Sequence, residues 1–246
     1  MAEWKHIGSA PLNLWGMIVA YGEEFFYLYA GASPRMTAYH AKTGATRVCA
    51  AQPYVDMKSV GLCAQGPYIY GFGGAHLLGG SPYQDVYRYH VATDTWAYSG
   101  SLERSVSRVQ PAALEDRIFL AGETGGTDGD IIQQYNTSTQ TTNLLPVTLS
   151  EKVAGGVCVC VDGLLYYIGG TELYPLPDSE WWQERGSLKV HIVNPAPSHA
   201  ATCAPAPAAF LLPRAGYLGI PHLAQARRPS DRLPDPEDLA ASARGH

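Results

Sequence analysis

Four short runs of aromatic and aliphatic residues recur along the chain, each closing on a pair of mostly small residues. They are Phe26-Tyr27-Leu28-Tyr29-Ala30-Gly31, Ile69-Tyr70-Gly71-Phe72-Gly73-Gly74, Ile118-Phe119-Leu120-Ala121-Gly122-Glu123 and Leu165-Tyr166-Tyr167-Ile168-Gly169-Gly170. Aligned on Ala30, Gly73, Gly122 and Gly169, they are 43, 49 and 47 residues apart, with Tyr27, Tyr70, Phe119 or Tyr166 three positions earlier. A second element follows each: Thr37-Ala38-Tyr39-His40, Val86-Tyr87-Arg88-Tyr89-His90-Val91, Gln133-Gln134-Tyr135-Asn136 and Val190-His191-Ile192-Val193-Asn194-Pro195. Runs this short, rich in Tyr, Phe and Ile and bounded by turn residues, predict strands. A fixed period of about 50 residues marks a repeat architecture.

The clearest unit runs from Lys58 to Leu102, with Asp94-Thr95-Trp96 after the Tyr89-His90 strand. An inner strand, the aromatic strand, the Tyr strand and an outer Trp strand form a four-stranded meander, the plan of one propeller blade. Trp4-Lys5-His6-Ile7 has the pattern of the last strand of a preceding blade. The Gly73-Gly74 and Gly169-Gly170 pairs suit places where backbone approaches too closely for a Cβ. Tyr27, Tyr70, Phe119 and Tyr166 are expected in the core, with Tyr89 and Trp96 filling the space between blades and their polar tips reaching backbone partners. The fold predicted is all-β, with no helix longer than two turns between Trp4 and Asn194.

Composition narrows the function classes. Charged residues make up 16% of the chain and the net charge is −5, which argues against nucleic acid as a partner. No apolar run approaches the roughly 20 residues of a membrane-spanning helix. The five cysteines, Cys49, Cys63, Cys158, Cys160 and Cys203, lack disulfide-framework spacing, and no signal-peptide pattern opens the chain, so reduced thiols and a cytoplasmic protein are expected. Residues 1–195 hold the repeats. From Pro195 onward, 9 Pro and 13 Ala stand beside only Phe210 and Tyr217 as aromatics, and residues 196–246 are expected to be a disordered tail.

Motifs for chemistry are weak. Cys158 and Cys160 share one strand face but lack zinc spacing, and the eight His form no metal-ligand pattern. Gly122-Glu123-Thr124-Gly125-Gly126 precedes no predicted helix and is a loop, not a phosphate cradle. No cofactor, metal or catalytic residue is expected.

The order diglycine, Tyr, Trp resembles the Kelch repeat, and residues 4–195 resemble the propeller of BTB-Kelch adaptors. The resemblance implies about four four-stranded blades, either closed or as part of an incomplete six-bladed propeller, in a truncated form. Ala30-Gly31 and Gly122-Glu123 depart from diglycine, and Arg47 and Thr142 lie near the expected Trp positions. The implied function is the client-binding propeller of a cullin-RING ubiquitin ligase adaptor whose BTB domain is missing. Rival readings are an actin-binding scaffold or a Kelch-propeller enzyme, a copper oxidase or sugar isomerase.

In a meander, the loops between second and third strands and those from blade to blade emerge at one end. The former are Ala32–Met36, Ala75–Asp85, Thr124–Asp130 and Thr171–Ser187; the latter are Ala51–Ser59, Ser99–Arg108 and Pro146–Lys152. Arg35, His76, Arg104 and Arg108 fall there. Trp181, Trp182 and Arg185 lie on the longest loop, as partner anchors or folded back on the rim, since Trp and Arg are frequent interface hot spots. Adaptors of this kind often present arginines near Arg104 and Arg108 to acidic client motifs.

Overall fold

The computed structural model describes residues 17–29, 35–78, 81–122, 129–175, 182–186 and 190–195. The chain divides into two compact units, Met1–Cys203 and Ala204–His246, and every described residue belongs to the first. The Trp4–Ile7 element and the predicted tail lie outside the described residues. All regular elements described are strands, and no described helix is long and apolar enough to cross a membrane.

The first blade is a meander of β1 (Met17–Tyr21), β2 (Glu24–Leu28), β3 (Met36–His40) and β4 (Thr46–Cys49). A short strand, β5 (Met57–Lys58), precedes the second blade. That blade runs β6 (Gly61–Gln65), β7 (Tyr68–Phe72), then the two-residue β8 (Ala75–His76), and returns through β9 (Tyr83–His90) and β10 (Thr95–Val106). The third is β11 (Ala112–Leu114), β12 (Arg117–Ala121), β13 (Ile132–Asn136) and β14 (Thr141–Leu144). In the last repeat, β15 (Val153–Ala154) leads into β16 (Val157–Val161) and β17 (Leu164–Ile168). A hairpin of β18 (Thr171–Pro175) and β19 (Trp182–Gly186) follows, and β20 (Val190–Val193) pairs back onto β17.

The core is divided among the spaces between successive blades. Phe26 and Leu28 of the first blade meet Leu62, Ile69 and Tyr89 of the second. Tyr70 and Phe72 meet Ile118, Leu120 and Tyr135 of the third. Phe119 and Ala121 meet Leu165 and Tyr167 of the fourth. The central strands of the second and third blades therefore split their alternate side chains between two neighbours, a direct use of the two-residue strand period.

Strand pairing corrects the first repeat by one residue. Glu24 lies opposite His40 and Tyr68 opposite His90, so Phe26, not Tyr27, matches Tyr70. A one-residue slip moves a side chain to the other face. Phe26 is accordingly buried, whereas Tyr27 is only half-buried. Tyr70 and Phe119 are buried as expected, while Tyr166 is half-buried because no described residues pack over its face of the last blade.

The glycine pair acts at a crossing. Gly73 has φ +58°, its N–H donates to Asp85 O, and a Cβ there would collide with the Val106 carbonyl. Gly74 donates to Val106 O at 2.8 Å, so the end of β10 lies directly across this turn. At the Trp positions, Trp96 packs against Tyr54 and Tyr89, but its buried Nε1 finds no hydrogen-bond partner among the described residues, unlike the expected polar tip. Arg47 instead stacks over Phe26 at 5.2 Å and makes a double hydrogen bond to Glu24. Thr142 donates to Ser101 O, replacing ring packing with a hydrogen bond between blades.

Candidate protein-interaction face

Two small two-stranded pairings define one end of the blades. Met57-Lys58 pairs with Ala75-His76, and Val153-Ala154 pairs with Thr171-Glu172. Each ties a blade-to-blade connection to the connection after a central strand, so both kinds of connection emerge together, as the meander predicted.

Three loop segments differ from their expected form. Ser99–Arg108, expected as a loop, is strand as far as Val106, because the long β9 still offers partners: Ser101 faces Asp85 and Val106 faces Tyr83 across two register shifts. Ala75–Asp85 contributes β8 and the start of β9. The 171–187 segment is largely the β18–β19 hairpin, with Thr171 opposite Gly186 and Pro175 opposite Trp182.

Arg104 is exposed, yet its backbone is held on both sides by one buried side chain. Its N–H donates to Gln133 Oε1 at 2.8 Å, and Gln133 Nε2 donates to Arg104 O at 3.0 Å. Gln133 escaped the sequence reading; its only signal was a glutamine at an inward position of a strand, where burial demands hydrogen-bond partners.

Arg108 is also exposed and adopts φ +52°, a left-handed conformation costly for a side-chain-bearing residue. Ser59 and Gly155, one repeat before and after, share it at +58° and +70°. The three positions are joined in series: Arg108 N–H donates to Ser59 O at 3.1 Å, and Gly155 N–H donates to Arg108 O at 3.0 Å. The repeat thus pins the backbone of Arg108 from both neighbouring blades.

Arg35 is exposed just before β3, where its carbonyl accepts from Tyr29 N–H. His76 sits in β8 opposite Met57, and its Nδ1 accepts from Leu78 N–H at 3.3 Å. Trp182 lies opposite Pro175 and Arg185 opposite Glu172 in the hairpin, while Trp181 is outside the described residues. The topology brings all the described candidates to one end of the blades.

The opposite end carries a shallow cleft lined by Tyr68, Tyr70, Arg88, Glu115 and Asp116, with the Arg88 guanidinium 4.9 Å from the Tyr68 ring centre. Burial pushes the Cys63 and Cys158 thiols up to about 12, which keeps them protonated and unreactive at neutral pH. Among the described residues, no three or more His, Cys, Asp or Glu side chains gather as a metal site.

No protein-family profile matches the chain, and no curated protein matches it. Among solved structures, YjhT matches over 72% of this chain and 67% of its own, with a TM-score of 0.58 at 12% identity. The chain shares its fold with YjhT. The likeness to YjhT lies in the path of the backbone, since so low an identity carries no side-chain chemistry with it.

Proposed function

We infer that the chain is a protein-interaction module of the Kelch type that binds its client through the end of the blades bearing Arg35, His76, Arg104 and Arg108. The observation that carries this reading is the fixing of Arg104 and Arg108. Both side chains reach solvent from backbones clamped by neighbouring blades. Rigid presentation lowers the ordering cost of binding, and arginine's planar fork suits carboxylates. The client feature that fits is an acidic segment, as in clients of the BTB-Kelch adaptors that the repeats resemble. In such adaptors the BTB domain contacts the cullin and the propeller holds the client, and the repeats described here correspond to the client-holding part.

Affinity capture from cells with the wild-type chain and with Arg104→Glu/Arg108→Glu tests the site. A client retained by the wild type should bind the variant roughly 30-fold more weakly, the scale of an arginine hot spot of about 2 kcal/mol. An unchanged set of bound proteins would place the contact elsewhere. Actin co-sedimentation, expected to be negative, separates the scaffold reading.

A further inference from the structure

The three spaces between blades show what each blade face accepts. One face, carrying residues such as Phe26, Tyr70 and Phe119, receives the opposite face of the next blade, carrying residues such as Ile69, Ile118 and Leu165. Among the described residues, two faces of this kind are left over, one at each end of the series.

On the last blade, Val157, Val159 and Val161 of β16 lie opposite Ile168, Tyr166 and Leu164 of β17, with Val190 and Ile192 of β20 completing the same face. None of these residues is charged, and Ile192 is 60% exposed. On the first blade, Ile18 faces Tyr27, Tyr27 faces Thr37, and Thr37 faces Val48; Phe25 lies on the same side. That face also carries no charge, and Val48 is 77% exposed. Contiguous apolar faces of this extent on a protein surface mark association sites.

We propose that the last-blade face seats the first-blade face of a second copy of this chain, extending the blade-on-blade packing from one molecule to the next. The two faces are the two halves of an interface that the described residues already make three times, and a second copy brings to each the half that no described residue supplies. Residues 196–246 are a poor alternative cover, because beyond Phe210 and Tyr217 they offer no aromatics, and Thr202 and Ile220 are their only β-branched residues. The contact is head-to-tail, using two different surfaces, so it produces a ring where the rotation closes and a chain of molecules where it does not.

Light scattering after size exclusion on the full chain should give a mass at least twice that of one molecule at micromolar concentration. Val48→Asp and Ile192→Asp should each be monomeric, since both positions are exposed in the isolated molecule and a charge there opposes only association. Mixed together, they should form a one-to-one dimer, because the first variant retains an intact last-blade face and the second an intact first-blade face. In parallel, a Val48→Cys chain mixed with an Ile192→Cys chain should form a disulfide between the two under oxidation. Removing residues 199–246 should leave the association intact. A monomeric wild type, a mixture that stays monomeric without cross-linking, or association that depends on residues 199–246 would each overturn the proposal.

Discussion

Gly71 faces one ring, and adding a single methyl there probes the packing between the first two blades. A Cβ at Gly71 would stand 2.6 Å from Tyr54 Oη and 2.7 Å from Tyr54 Cε2, about 1 Å inside normal contact. Tyr54 has little room to yield. It is 1% exposed, its N–H donates to Gln52 Oε1 at 2.6 Å, its carbonyl accepts from Gln52 Nε2, and its hydroxyl accepts from Tyr87 N–H at 3.3 Å. The Gly71 backbone is not in the left-handed region, so alanine is costly only through the clash. Overpacking costs about 1–3 kcal/mol, and displacing the hydroxyl from its hydrogen bond adds about 1 kcal/mol, so Gly71→Ala should destabilise by roughly 2–4 kcal/mol. In urea, with a slope of about 1–3 kcal/mol/M, the midpoint should fall by about 1–2 M. The decisive comparison is a double-mutant cycle: in a Tyr54→Ala background the ring is gone, and the added methyl should be nearly neutral or favourable. A loss within about 0.5 kcal/mol in the wild type, or an equal loss in both backgrounds, would refute the packing described.

The register correction predicts that Phe26→Ala costs about 3–5 kcal/mol as a buried aromatic, with Tyr27→Ala clearly milder; urea unfolding giving the reverse order would restore the original alignment. Asp94 accepts from Tyr89 Oη at 2.6 Å and Ala50 N–H at 2.7 Å, and the Tyr89 hydrogen bond first, then the Ala50 one, hold its carboxyl below the usual carboxylate range. A lowered folded pKa contributes stability above the unfolded value of about 3.9 that is lost as pH falls through the folded one. The stability gap between wild type and Asp94→Asn should therefore be widest near neutrality and narrow on acidification below pH about 4, whereas a gap constant with pH would exclude the carboxylate as its source.

The period and the Gly73-Gly74 turn were legible because a repeat imposes the same steric demand at a fixed interval. The register of the first strand was not, since Phe25, Phe26 and Tyr27 are all aromatic and alternation alone cannot say which two face one way; opposite partners settle it. The stretch from Ser99 to Glu103 looks polar enough for a loop. Its backbone is strand all the same, with Tyr135 Oη bonding Ser99 O and Thr142 bonding Ser101 O from the next blade. Such partners lie some 40 residues away, beyond the reach of local pattern. For the site, Arg104 and Arg108 could be named from their place before an inner strand, but Gln133 and the Ser59–Arg108–Gly155 series required the blades to be side by side.

Because the apolar interior of the described residues is parcelled into three separate layers, damage there stays local. A substitution that opens the layer around Phe26 and Tyr89 leaves the one around Phe119 and Tyr167 with all its contacts. Stability then behaves as a sum over adjoining pairs rather than as the property of a single nucleus, the arithmetic of a stacked array. The second and third blades, each flanked on both sides, are the natural reservoir of that stability, and the outer two can loosen without carrying them along.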